Sequence, residues 1–230
     1  MPDKITVHHP RKLYAAFLYG QNIPGSTYLT RQDVQSRLCT LAPQIAFVDI
    51  VSRPDSMLLL CNQSASERTV RDALGLCFDC KSVVIEVESL CRIVNAARAT
   101  LQSIQQPTQP PYRLKFEGVE WEWCLVLCSE RLPCNLTEDR LLFRRTTNAV
   151  PVCILDSRAL LVRKRRASAS GTRIMLGSVL IDPWKQVLAR NGVNLDCLTS
   201  RTLGQTAKVL QAAEKLGLGA KPVPKHPDAG

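Results

Sequence analysis

The stretch "IAFVDIVSRPDSMLLLCN", residues 45–62, holds two apolar runs divided by Arg53, Pro54 and Asp55. Each run has the length of a strand, and proline followed by aspartate is turn chemistry, so the stretch reads as a β-hairpin. A hairpin at this point constrains what surrounds it. Upstream, "YAAFLY" (14–19) is a short buried strand and "TRQDVQSRLCTL" (30–41) a helix, with Thr30 and Asp33 at capping-box spacing. Downstream, "SASERTVRDALGL" (64–76) is an amphipathic helix capped by Ser64 or Ser66, "KSVVIEV" (81–87) is a strand, and "ESLCRIVNAARATLQSI" (88–104) is a long helix. Strand, helix, strand, strand, helix, strand is the order of a ferredoxin-like unit, here with one helix appended.

The Pro- and Gln-rich "QQPTQPPY" (105–112) reads as an extended linker. Beyond it a β-rich run, "YRLKFEGVEWEWCLVLCS" (112–129), is followed by the short strands "RLLFRR" (140–145), "AVPVCILD" (149–156) and "ALLVRKRR" (159–166), with a hairpin turn at Asp156, Ser157 and Arg158. The period then changes: "RIMLGSVLIDPWKQVLARNG" (173–192) is helical with Gly192 at its end, and "SRTLGQTAKVLQAAEKLG" (200–217) is a final helix stopped near Gly217. The expected fold is α+β: two ferredoxin-like halves with mainly antiparallel sheets and C-terminal helices. The halves span residues 1–106 and 107–217, and 218–230 form a disordered tail with too little apolar content for a core.

The chain of 230 residues carries a net charge of +10. Up to Pro110, Lys and Arg exceed Asp and Glu by eleven to nine; after it the count is nineteen to eleven, so +8 of the +10 lies in the second half. Its densest parts hold Arg144 and Arg145, then Arg163, Lys164, Arg165, Arg166 and Arg173. Such a cluster beside a small, Ser-rich segment is suited to following a phosphate backbone; the bland alternative is a solvated hairpin end. The first twenty residues lack the apolar core of a secretion signal, and no apolar run reaches membrane-spanning length, so a cytoplasmic protein with no membrane partner is expected. Of ten cysteines, most stand singly in apolar runs and read as small core hydrophobes. Cys77 and Cys80 in "CFDC" have knuckle spacing, but no second pair or nearby histidine completes a zinc site, so no metal and no cofactor is expected.

The loop after the first strand, "YGQNIPGS" (19–26), gathers Tyr19, Gly20, Gln21, Asn22 and Gly25 between a strand end and a capped helix, a place where backbone N–H groups and polar side chains meet a ligand. With "CFDCKSVVIEVESLCRIVNAA" and "LTSRTLGQTAKVLQ", this segment resembles the family catalogued as domain of unknown function 1697. Gly20, Asn22 and Gly25 match the family's first-strand motif, and Thr199, Arg201 and Lys208 match its late Thr-Thr-Arg segment. The resemblance implies two ferredoxin-like halves side by side. Tyr19 stands where the family has arginine; Pro54, Asp55 and Ser56 replace its Ser-Gly-Asn; Thr202 and Leu203 replace its Asn-Trp.

Phosphate-binding loops, dinucleotide fingerprints, deaminase zinc sets and Gly-x-Ser-x-Gly elbows are absent from the sequence, and the carboxylates form no cluster for two metals. What remains is a nucleic-acid partner, duplex DNA above all, and in sharpest form a metal-independent base-excision glycosylase. Asn22, Asp49 and Asp55 are its candidate catalytic residues, with Tyr19, Gly20, Gln21 and Gly25 lining the base pocket. Arg144, Arg145, Arg163, Lys164, Arg165, Arg166, Arg173, Arg201 and Lys208 are the candidate DNA contacts, and a monomer is favoured. The alternatives are a small-molecule protein using the cleft between the halves, its positive charge meeting an acidic metabolite or nucleotide, and an interaction module without chemistry.

Overall fold

The structure, a computed structural model, describes residues 11–18, 30–51, 56–132, 149–166, 188–194 and 198–217. Strand β1 (Arg11–Leu18) leads to helix α1 (Arg31–Leu41), the hairpin β2 (Ile45–Ile50) and β3 (Ser56–Asn62), helix α2 (Glu67–Phe78), strand β4 (Ser82–Glu86) and helix α3 (Val87–Ser103). The four strands form one antiparallel sheet in the order β2-β3-β1-β4, the ferredoxin-like arrangement expected. Local chemistry sets the helix starts. Thr30 and Asp33 complete the capping box, and Ser66, the second of the two candidate caps, accepts from the Thr69 N–H at 3.1 Å.

The second sheet contains β5 (Arg113–Phe116), β6 (Val119–Cys128), β7 (Ala149–Leu155), β8 (Ala159–Arg165) and β9 (Leu198–Thr202), followed by helix α4 (Leu203–Lys215). Its path is β5-β6-β8-β7. Because β8 pairs Trp121 to Leu127 on one edge of β6, β9 takes the opposite edge along Cys124 to Cys128, just beyond the residues paired with β5. The order β9-β6-β8-β7 therefore repeats β4-β1-β3-β2, and α4 follows β9 as α3 follows β4. Two tight turns hold the hairpins. Asp156 and Ser157 both have positive φ (48° and 50°), as do Glu117 and Gly118 (48° and 76°), the backbone that a two-residue turn between twisted strands requires.

Alternation along β1 explains how the sheets stack. Tyr14, Ala16 and Leu18 face α1 and α2 in a core with Val34, Leu38, Val70 and Leu74, whereas Leu13, Ala15 and Phe17 face α3 and α4. That second core continues through Leu90, Ile93, Val94, Leu203 and Leu210 into Trp123, Leu125 and Leu127 of β6, so α3 and α4 lie between the sheets and bury apolar surface on both sides. Tyr112, at the end of the expected linker, is fully buried, and its hydroxyl accepts from Arg98 Nε at 3.1 Å. The linker is thus fastened to the shared core at its second end.

One element departs from expectation. "SRT" was expected to open the last helix, but Ser200, Arg201 and Thr202 complete strand β9, and the helix begins at Leu203. Pairing with Val126, Leu125 and Cys124 draws these residues into the sheet, and the Thr202 hydroxyl then caps the helix by accepting from the Gln205 N–H at 3.1 Å. Gly217, with φ 67°, stands just beyond the helix end as expected. The expected strand at 140–145, most of the helical stretch at 173–192 and the tail at 218–230 lie outside the described residues; 188–190 are helical and Gly192 has φ 78°.

Candidate functional site

Tyr19, Gly20, Gln21, Asn22, Gly25 and Asp55 lie outside the described residues, as do Arg144, Arg145 and Arg173. The segments that flank the first group are described, and register brings them to one end of the first sheet. Phe17 is opposite Ser56, Leu18 opposite Ser82, and Ile50 opposite Met57, so the exit of β1, the end of β2 and the start of β3 share an edge. Arg201 arrives there from the other sheet. Its Nη2 donates to the Leu18 carbonyl at 3.1 Å, its Nη1 donates to Thr199 Oγ1 and the Ser200 carbonyl at 2.8 Å each, and the guanidinium lies 5.5 Å from the Phe17 ring centre. Arg201, singled out by resemblance, therefore fixes the Leu18 carbonyl, the one immediately before Tyr19 in the sequence.

Asp49 sits on β2, an edge strand, beside an irregularity between Phe47 and Asp49. Its Oδ1 accepts from the Ile50 N–H at 2.8 Å and lies 3.1 Å from Arg31 Nη1, while Arg31 Nη2 donates to the Val48 carbonyl. These bonds fasten α1 to the edge strand. A catalytic role for Asp49 would have to displace Arg31.

The basic run Arg163 to Arg166 occupies the end of β8, and the two-residue period divides it. On one face Lys164 stands opposite Glu122 and is 7% exposed, Arg166 Nη1 donates to Glu120 at 2.6 Å, and Arg113 lies 3.8 Å from Glu122. This face sets two carboxylates, Glu120 and Glu122, among four cations, Arg113, Lys115, Lys164 and Arg166, so part of its charge is answered. On the other face, Arg163 stands opposite Trp123 and Arg165 opposite Trp121, and the Arg163 guanidinium lies 4.7 Å over the Trp121 ring. Among the described residues no carboxylate pairs with Arg163 or Arg165. Lys208 is exposed on α4.

Sequence reasoning missed a polar junction between the two sheets. Arg158, in the β7–β8 turn, donates to both oxygens of Glu67 at 2.9 and 2.6 Å and to the Ser129 carbonyl at 2.6 Å; Glu67 also accepts from the Glu86 N–H at 2.8 Å. Arg92 with Asp156 at 3.6 Å, and Arg71 with Glu130 at 3.7 Å, add further cross-links. Nothing local marks Arg158, whose turn looks ordinary and whose partner is 91 residues away.

Eight cysteines are described, and none of them is in a disulfide. Cys61, Cys77, Cys124 and Cys128 are buried as expected, Cys80, Cys91 and Cys153 are half-buried, and Cys39 is exposed because it falls on the outer side of α1. The Cys77 thiol donates to the Arg37 carbonyl at 3.9 Å. Among the described residues no three His, Cys, Asp or Glu gather as metal ligands. Burial pushes the Cys61 thiol up to about 11 and also raises Cys77, Cys124 and Cys128. Burial, then the charge of Glu86, pushes the Tyr14 hydroxyl up to about 12. A group whose folded value is raised stabilises the fold fully below its unfolded value and loses that contribution as pH climbs toward the folded one. The unfolding free energy from urea denaturation should hold steady to about pH 8.5 and fall from pH 9 to 11, by at most about 1.4 kcal/mol per pH unit for each thiol. A flat profile over that range would show that these thiols ionise in the folded protein.

No family model and no curated protein matches the chain. A solved structure of a conserved bacterial protein from Streptococcus pneumoniae is similar over 87% of this chain and 97% of that one, with 12% identity and a TM-score of 0.46. Among the described residues no helix is long and apolar enough to cross a membrane.

Proposed function

We propose that this chain is a DNA-binding protein and, in the sharpest form of the reading, a metal-independent N-glycosylase that removes modified or damaged bases from duplex DNA. It works as a cytoplasmic monomer without cofactor, and is a divergent member of the family catalogued as domain of unknown function 1697. The observation that carries the DNA reading is the strand-mounted basic face: Arg163 and Arg165 project on one side of β8, and no described carboxylate pairs with either. Cations held on a rigid strand lose little freedom when they meet phosphates. The glycosylase form rests further on the Tyr19 to Gly25 sequence, whose preceding carbonyl is held by Arg201. The alternative is a small-molecule protein using the space between the halves, where the described residues form an apolar core beside the Arg158–Glu67 junction.

The test is incubation with normal and modified duplex DNA, followed by alkali to cut at abasic sites. Strand breaks confined to modified duplex are the expected result. Asn22→Ala should abolish them while leaving the melting temperature within a few degrees. Intact strands for every modified base would remove the glycosylase form, and salt-independent or absent binding of both duplex and single-stranded DNA would remove the DNA reading itself.

A further inference from the structure

The face of β8 that carries Arg163 and Arg165 also carries aromatics from the neighbouring strands. Leu114 and Phe116 of β5 pair with Trp121 and Val119 of β6, and Trp121 in turn pairs with Arg165. Because side chains alternate, Leu114, Phe116, Val119, Trp121, Arg163 and Arg165 share one face of this corner. Trp123, Leu125 and Leu127 on the same face of β6 enter the core with α3 and α4, but the corner extends past them: Phe116 is 58% exposed, and Trp121 and Arg165 are half-buried. The opposite face sets Glu120 and Glu122 among its cations, whereas no described carboxylate pairs with Arg163 or Arg165 on this one.

Resting on the DNA-binding reading above, we infer that the Phe116–Trp121–Arg163–Arg165 corner is a docking surface for single-stranded DNA. Charge complementarity selects the occupant. Two cations that no described carboxylate pairs with suit a polyanion, and the exposed Phe116 ring beside them suits an unstacked base. A duplex hides its base faces and would leave Phe116 unused; a single strand offers phosphates to Arg163 and Arg165 and rings to Phe116 and Trp121. Arg163, seated over Trp121, also holds that ring in place and presents a second planar surface. The chain has only twelve aromatic residues of the Phe, Trp and Tyr types in 230, which argues against an extended stacking surface but not against a compact one, because β pairing concentrates two of them here.

The experiment uses the full chain and fluorescence anisotropy with a labelled twenty-nucleotide oligothymidine, a blunt duplex of mixed sequence and an oligouridine. The single DNA strand should bind more tightly than the duplex. Phe116→Ser, at a ring exposed enough to leave folding intact, should weaken single-strand binding by roughly fivefold to a hundredfold, the range of one lost base stack, with duplex binding unchanged. Arg165→Gln should weaken single-strand binding and reduce the magnitude of its log-log salt slope by about 0.7, the share of one phosphate on a single strand. Salt-dependent duplex binding together with a silent Phe116→Ser would overturn this inference and leave the DNA reading standing. Binding of neither DNA form would overturn both, and tighter binding of oligouridine would overturn the assignment to DNA.

Discussion

Arg158→Met should destabilise the protein by about 3–5 kcal/mol, the range for removing one partner of a buried ion pair. Arg158 and Glu67 have side chains only 13% and 23% exposed, so the change leaves the Glu67 carboxylate without its counter-charge in a place that water reaches poorly. The Ser129 carbonyl at the exit of β6 loses its donor in the same step. Glu67→Met should be comparably costly, since it strands Arg158 and the Glu86 N–H that opens α3. The double variant, with a methionine at each position, should recover much of either loss, because an apolar pair of similar volume leaves no charge to desolvate. Urea denaturation of the four proteins measures the cycle. Single losses below about 1 kcal/mol would place the pair with ordinary surface ion pairs, and the junction would then contribute little to holding the sheets together.

This junction also shows where the sequence stops being informative. The hairpin at 45–62, the caps at Thr30 and Ser66 and the turn at Asp156 and Ser157 were readable because each depends on residues within a few positions of one another. The placement of α3 and α4 was not. An amphipathic helix declares that it has an apolar face but not which sheet will cover it, and α3 has apolar residues enough for two: Leu90, Ile93, Val94, Ala97 and Leu101 all enter the core shared by both sheets. The end of β9 was misread for a related reason. Ser200, Arg201 and Thr202 have no strong local preference, and only their pairing with β6 decides that the chain is extended there. Arg201 was found by resemblance, yet its bond to Leu18, across 183 residues, is purely tertiary.

The basic run was legible as composition and illegible as a surface. Seven Arg and Lys positions looked equivalent in sequence; the four described ones, Arg163 to Arg166, are not, because pairing with β6 sets Glu120 and Glu122 against Arg166 and Lys164 and leaves Arg163 and Arg165 facing the other way. That division gives the functional prediction with the largest effect. Arg163→Glu combined with Arg165→Glu should weaken duplex DNA binding at least tenfold and reduce the magnitude of its log-log salt slope by about 1.8, two phosphates at 0.9 each. Each Arg→Glu change subtracts two charges, so the variant falls from +10 to +6. A control with the same loss, Arg11→Glu with Lys215→Glu at two exposed positions on β1 and α4, separates local contact from net charge. Lys164→Gln and Arg166→Gln should alter the slope much less, since their charges already answer carboxylates on β6. Stacking of Arg163 on Trp121 adds a packing cost to its loss, which melting temperatures of each single variant will separate from binding. If the control weakens binding as much as the double reversal, DNA is attracted by net charge alone and the β8 face is not its contact. If neither alters binding, the basic strand is a solvated sheet end and a DNA function would have to reside elsewhere in the chain.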